Sequence, residues 1–91
     1  MSQYRVAEQA SWAVEACGVV VVNRATGVTT TLGYPRAAIW DFIARGQSGA
    51  RIRAMLCAVA SCDPPAARAL LLETVAALRE AGLLTEREPR G

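Results

Sequence analysis

The part of this chain that most constrains its fold is residues 19–32, which read as two strands joined by a short turn. Val19–Asn23 is the clearest predicted strand, because consecutive β-branched residues favour extended backbone, and four valines in a row indicate that both faces are covered. Arg24–Gly27 is typical of a hairpin turn in which Gly27 supplies a positive φ. The strand that follows, Val28–Leu32, is rich in threonine, so we predict that the sheet ends on it.

This threonine-rich strand is expected to form an exposed edge of the sheet. Val28, Thr30 and Leu32 share one face, which we predict to point inward. Thr29 and Thr31 share the other, wetter face. An exposed edge carries unpaired N–H and C=O groups that can accept another chain as an additional strand. The edge is therefore the feature of the sequence that points most directly to a function.

The composition argues against an enzyme. The chain has no His, so it cannot form a Ser–His or Cys–His nucleophile pair or a His-ligated metal site. Its three cysteines, Cys17, Cys57 and Cys62, contain no CxxC spacing and fit neither a disulfide framework nor a zinc site. The eight carboxylates form no pair arranged for acid–base catalysis. We predict no catalytic residue, no metal and no cofactor.

The net charge and the hydropathy of the chain further restrict the kinds of partner that it is expected to bind. The chain has ten Arg and no Lys, and its net charge is +2. This charge is too small to indicate by itself that the protein binds nucleic acid. No apolar run approaches the roughly 20 residues that a membrane span requires. The N-terminus shows no secretory signal, so we expect a cytoplasmic protein without membrane contact.

The remaining segments complete a single domain. Ser11–Ala16 alternates in polarity and predicts a first strand. Residues 1–10 are expected to be a loose arm, residues 11–85 the domain and residues 86–91 a loose tail.

The second half of the chain predicts three helices. Pro35 opens the first of them, Ser48 caps the second and Asp63 caps the third, which ends at Gly82. Three strands followed by three helices predict an α+β fold, with a three-stranded antiparallel sheet followed by a three-helix, winged-helix-like bundle.

The third helix carries more apolar surface than one core requires. An inward stripe is formed by Ala67, Leu71, Val75 and Leu78. Two flanks lie outside this stripe. One contains small and apolar residues together with two arginines, and the other contains only apolar residues. The first comprises Arg68, Ala69, Leu72, Ala76 and Arg79, and the second comprises Leu70, Ala77 and Ala81. Either a flank packs under the sheet, or it walls a groove for an apolar peptide side chain.

Several short motifs in this order resemble the PqqD-like family, also called RiPP recognition elements. The resemblance covers residues 11–85, although Gly33 stands where members of the family commonly carry Asn. The motifs are Thr26-Gly27, Leu32, Ala38-Ile39-Trp40, Arg45-Gly46 and the closing Leu78-Arg79-Glu80-Ala81-Gly82-Leu83-Leu84.

This resemblance implies a three-stranded sheet, a trihelical bundle and a function in peptide natural-product biosynthesis. Members bind the leader segment of a ribosomally made precursor peptide as an added strand and present it to a modifying enzyme, such as a radical-SAM maturase or a leader protease. Carried over to this chain, the docking edge comprises Val28, Thr29, Thr30, Thr31 and Leu32, and the cleft wall comprises Arg68, Leu72, Ala76 and Arg79.

Two alternatives remain open at this stage. A winged-helix DNA-binding protein fits the trihelical order, but the third helix begins Asp63-Pro64-Pro65 and presents little to bases or phosphates. A structural subunit of an enzyme complex would need no peptide of its own.

A homodimer through Val28–Leu32 would compete with a peptide for the same edge.

Overall fold

The computed structural model describes residues 4–86 and has an α+β architecture, as predicted. A three-stranded antiparallel sheet is followed by three helices, and two short terminal strands pair with each other. The elements are β1 (Tyr4–Val6), β2 (Ala10–Glu15), β3 (Gly18–Asn23), β4 (Thr29–Gly33), α1 (Arg36–Ala44), α2 (Gly49–Val59), α3 (Pro64–Glu80) and β5 (Leu84–Glu86).

The main sheet has the order β2-β3-β4, with the valine strand in the centre. Val21 lies opposite Thr30 of β4, and Val19 lies opposite Leu32. Val19 and Val21 face the helices and are buried, whereas the side chains on the other face of β3 are half-buried. The predicted central position of this strand is confirmed.

The helices begin close to their predicted starts. The side chains of Ser48 and Asp63 accept backbone N–H groups from the first turns of α2 and α3, at 3.2 and 2.9 Å. These bonds satisfy donors that a helix leaves unpaired at its N-terminus. In α1, Pro35 is the N-cap and the helix begins at Arg36, one residue later than predicted.

The predicted stripe of α3 forms the centre of the core. Its four residues are at most 2% exposed, and Thr74 is buried beside them. The Thr74 hydroxyl donates to the carbonyl of Leu70 at 2.8 Å, so its burial leaves no donor unpaired. In α1, Trp40 is fully buried and packs edge to face against Trp12 of β2, with ring centroids 5.2 Å apart.

The terminal strands correct the prediction of a loose N-terminal arm. β1 pairs antiparallel with β5, with Tyr4 opposite Glu86 and Val6 opposite Leu84. Tyr4 and Leu84 are buried in the core. Burial of these apolar side chains offsets the cost of ordering the segment, so the predicted arm is wrong for residues 4–10.

The same pairing changes the predicted boundaries of the domain. The core extends from Tyr4 to Leu84, and Glu86 belongs to β5 rather than to a loose tail. Residues 1–3 and 87–91, which complete the predicted arm and tail, lie outside the described residues.

A buried asparagine at the end of β3 joins the sheet to the last turn of α3. Asn23 is 3% exposed, and its side-chain amide donates to the carbonyl of Ala81 at 3.0 Å. Its side-chain oxygen accepts the N–H of Ala25 at 2.9 Å, within the β3–β4 turn. Its own N–H donates to the carbonyl of Val28 at 2.9 Å. One side chain therefore holds the hairpin turn and the end of α3 together.

We predict that Asn23→Ala lowers the free energy of unfolding by about 2–3 kcal/mol, because it leaves buried backbone groups without partners. The matched control is Gln9→Ala, since Gln9 donates to the neighbouring carbonyl of Gly82 at 2.8 Å but is only half-buried. The control should cost about 1 kcal/mol or less. Urea unfolding of both variants measures the difference, and equal losses would show that Asn23 has no special part in joining the two elements.

Candidate functional site

The outer edge of β4 is open within the described residues 4–86. β3 pairs with one side of β4, and no described strand pairs with the other side. The strand is five residues long and contains neither Pro nor a charged residue, the features by which proteins commonly block an edge. Its backbone is therefore available to another extended chain.

The pairing pattern identifies which backbone groups of β4 face outward. Asn23 donates its N–H to Val28, so these two residues form a hydrogen-bonded pair across the strands. Such pairs alternate along an antiparallel ladder, so Thr30 and Leu32 also direct their N–H and C=O groups toward β3. The N–H and C=O groups of the intervening Thr29 and Thr31 consequently point away from the sheet.

The side chains of β4 point alternately to the two faces of the sheet, perpendicular to the backbone hydrogen bonds. Leu32 is buried and Thr30 is half-buried on the face that meets the helices, whereas Thr29 and Thr31 are exposed. The predicted alternation of these four side chains is confirmed, and their part in peptide binding stays a prediction. The predicted inward position of Val28 is wrong: this residue precedes β4, at the end of the turn where its N–H donates to the Thr26 hydroxyl at 3.2 Å, and it is 51% exposed.

Two contacts link α3 and its C-cap to residues at either end of β4. Near the start of β4, the side chain of Asn23 reaches the carbonyl of Ala81. Near its end, Arg36 lies 4.0 Å from the carboxylate of Glu73. Ala77 lies one helical turn from both Glu73 and the C-cap residue Ala81, so the three share one side of the helix and its C-cap. We call Glu73, Ala77 and Ala81 the hairpin flank of α3.

The four α3 residues predicted as a cleft wall lie on a different flank. Arg68 and Leu72 line a surface depression with Tyr4 of β1 and Arg53 of α2. We call Arg68, Leu72, Ala76 and Arg79 the ribbon flank, because β1 and β5 form a two-stranded ribbon beside it. At 100° per residue, the ribbon flank lies largely on the opposite side of α3 from the hairpin flank.

Sequence reasoning missed Asn23 and Glu73 as residues that orient the site. Glu73 appears in the sequence as a solvent-facing charge, and both it and Arg36 are largely exposed in the structure. Such an exposed pair contributes about 0–1 kcal/mol, so it marks the proximity of α1 and α3 rather than holding them together. The only local signal at Asn23 was the turn that follows it, in which Gly27 adopts the predicted positive φ of 78°.

Within residues 4–86, no three His, Cys, Asp or Glu side chains are placed to share a metal ion. No helix in this part of the chain is long and apolar enough to cross a membrane. The three cysteines are free, with Cys17 exposed and Cys57 and Cys62 half-buried.

Comparison with known proteins identifies two solved structures with this fold. One is described as TbiB1 in complex with the TbiA(beta) leader peptide; it is 24% identical, with a TM-score of 0.86, over 93% of this chain and 99% of that one. The other is a lasso peptide synthetase B1 complexed with the leader peptide, 21% identical, with a TM-score of 0.84, over 92% and 99%. The sequence matches no protein-family model and no curated protein. This chain thus has the fold of two proteins whose structures contain a leader peptide.

Proposed function

We propose that this protein binds the leader segment of a ribosomally synthesised precursor peptide by adding it as a strand to β4. The open β4 edge is the observation that carries the proposal, because its outward backbone groups need an extended partner. Support comes from the shared fold with two proteins described with a leader peptide bound. It also comes from the resemblance of the sequence motifs to RiPP recognition elements.

The edge favours a particular mode of recognition. A peptide strand would exchange hydrogen bonds with Thr29 and Thr31, each contributing about 0.5–1.5 kcal/mol net, largely without regard to side chains. Peptide residues opposite Thr30 and Leu32 would direct their side chains to the helical side of the sheet. Specificity would therefore reside in two peptide positions separated by one residue.

We propose that the hairpin flank of α3 forms the second wall of this site. Support comes from the contacts of Asn23 with Ala81 and of Arg36 with Glu73, and from Ala77 between them, which is small and exposed. The sequence-based prediction of a wall on the ribbon flank remains an alternative. The two proposals predict different effects of substitutions on α3. A large side chain should weaken leader binding only when it is placed on the flank that forms the wall.

The role that we propose is that of an adaptor rather than a catalyst. The bound leader would be presented to a separate modifying enzyme, such as a radical-SAM maturase or a leader protease. DNA binding is the weaker candidate, because the Asp63 carboxylate caps the N-terminus of α3 and would meet the phosphates of a duplex. A purely structural subunit would bind no leader at all.

The test is an amide NMR titration of the protein with the leader peptide of the precursor encoded beside it. The proposal predicts saturable shifts confined to Val28–Leu32 and α3. The oligomeric state should be measured at the same concentrations, because a homodimer through β4 would occupy the edge. If a monomeric sample shows no shift at β4, leader binding by strand addition fails for that peptide.

We predict that Thr31→Pro weakens leader binding at least tenfold, about 1.4 kcal/mol. Proline removes an outward N–H and crowds the incoming strand, yet it leaves the bonds between β3 and β4 intact because that N–H faces outward. The control is Thr31→Val, which alters only the side chain and should bind nearly as well as the wild type. Fluorescence anisotropy with a labelled leader measures both, and equal binding by the two variants would contradict strand addition.

A second prediction locates the wall on α3. Ala77→Phe should weaken leader binding by roughly tenfold, because a large ring on the hairpin flank would fill the space beside β4. Ala76→Phe is the matched control, since Ala76 is the adjacent, equally exposed alanine and points about 100° away. If Ala76→Phe weakens binding and Ala77→Phe does not, the wall lies on the ribbon flank.

A further inference from the structure

Two adjoining depressions form one groove between α2 and α3, outside the β4 edge. Their volumes are about 450 and 320 Å³, and Arg53 and Arg68 line both. The larger one is mainly apolar and is lined also by Cys57, Pro64 and Pro65. The smaller one is bounded by Tyr4 and by Leu72, which is 51% exposed. We call this feature the arginine groove.

The positive charge of the groove is uncompensated within residues 4–86. Arg53 and Arg68 are both exposed, and neither guanidinium group makes an ion pair or a hydrogen bond to a described residue. By contrast, Arg36 lies beside Glu73, and Arg45 pairs with Asp41 at 3.0 Å. Two unpaired guanidinium groups thus stand beside a mainly apolar depression of about 450 Å³.

The two features together define the chemistry of a ligand. Guanidinium groups bind carboxylates bidentately, and such charge-assisted hydrogen bonds are stronger than neutral ones. The apolar part of the groove suits a branched or aromatic side chain. A short acidic segment with one apolar residue satisfies both requirements.

We propose that the arginine groove binds an acidic segment, anchored by an apolar side chain, that belongs to a second protein. The groove lies on the ribbon flank of α3, away from the hairpin flank that faces β4. A peptide on β4 and a protein segment in the groove would therefore bind at the same time. This inference goes beyond the proposed function, and its groove test does not depend on whether a leader binds.

The probe for this site is the acidic peptide acetyl-Glu-Leu-Glu-Asp-Leu-Glu-amide, followed by amide NMR of the whole protein. Saturable shifts are expected in α2 around Arg53 and in the first half of α3, and they should weaken as salt is raised. The neutral analogue, with Gln and Asn in place of Glu and Asp, should bind at least tenfold more weakly. Equal binding of the two peptides would overturn the proposal.

Substitutions locate the site. The double variant Arg53→Ala/Arg68→Ala should lose at least tenfold in affinity for the acidic peptide and should retain the wild-type melting temperature. Arg51→Ala is the matched control, because Arg51 is an exposed arginine of α2 outside both depressions. If Arg51→Ala weakens the probe as much as the double variant does, binding reflects general charge and the groove is not a site.

Competition with the leader separates this proposal from the previous one. Saturating leader peptide should leave the affinity for the acidic probe unchanged. If the leader displaces the probe from the groove, the proposal of an independent second site is wrong and the ribbon flank belongs to the leader site. If the leader fails to bind anywhere, the proposed function fails while the groove is judged by the probe alone.

Discussion

The buried side chain of Asn23 is the interaction on which the functional geometry of this domain depends. It bonds to the β3–β4 turn through its oxygen and to the last turn of α3 through its amide nitrogen. Removing this buried amide would lower the stability of the fold, because each backbone group that it bonds would lose its partner and could not bond to water instead. The hairpin and the C-terminal end of α3 are therefore held next to each other.

This arrangement separates two kinds of surface on a small domain. The β4 edge offers backbone donors and acceptors, which bind an extended chain with little dependence on its sequence. If the hairpin flank of α3 forms the second wall of the site, as we propose, alternate side chains of a bound strand would meet it. On the ribbon flank, Arg68 and Leu72 instead lie beside Arg53 of α2 and Tyr4 of β1. Division of the two flanks between two partners would suit an adaptor that holds a peptide and a second protein together.

Local patterns predicted most of the fold but not how its elements face each other. The valine strand, the Gly27 turn and the caps at Ser48 and Asp63 depend on residues close in sequence, and each was predictable. The β1–β5 ribbon joins three-residue strands about 80 residues apart, so no local periodicity reveals it. Helical periodicity located the flanks of α3 relative to the core, yet the long-range contacts of Asn23 and Arg36, which suggest the flank nearer β4, cannot be read from it.

The most direct test of this account is a set of intermolecular nuclear Overhauser effects between isotope-labelled protein and unlabelled leader peptide. Strand addition predicts contacts between Hα atoms of the peptide and those of Thr30 and Leu32, which face outward between the ladder bonds. It also predicts amide–amide contacts from the peptide to Thr29 and Thr31. Contacts confined to the helices, with none to β4, would contradict the central claim that the open strand edge is the peptide-binding surface.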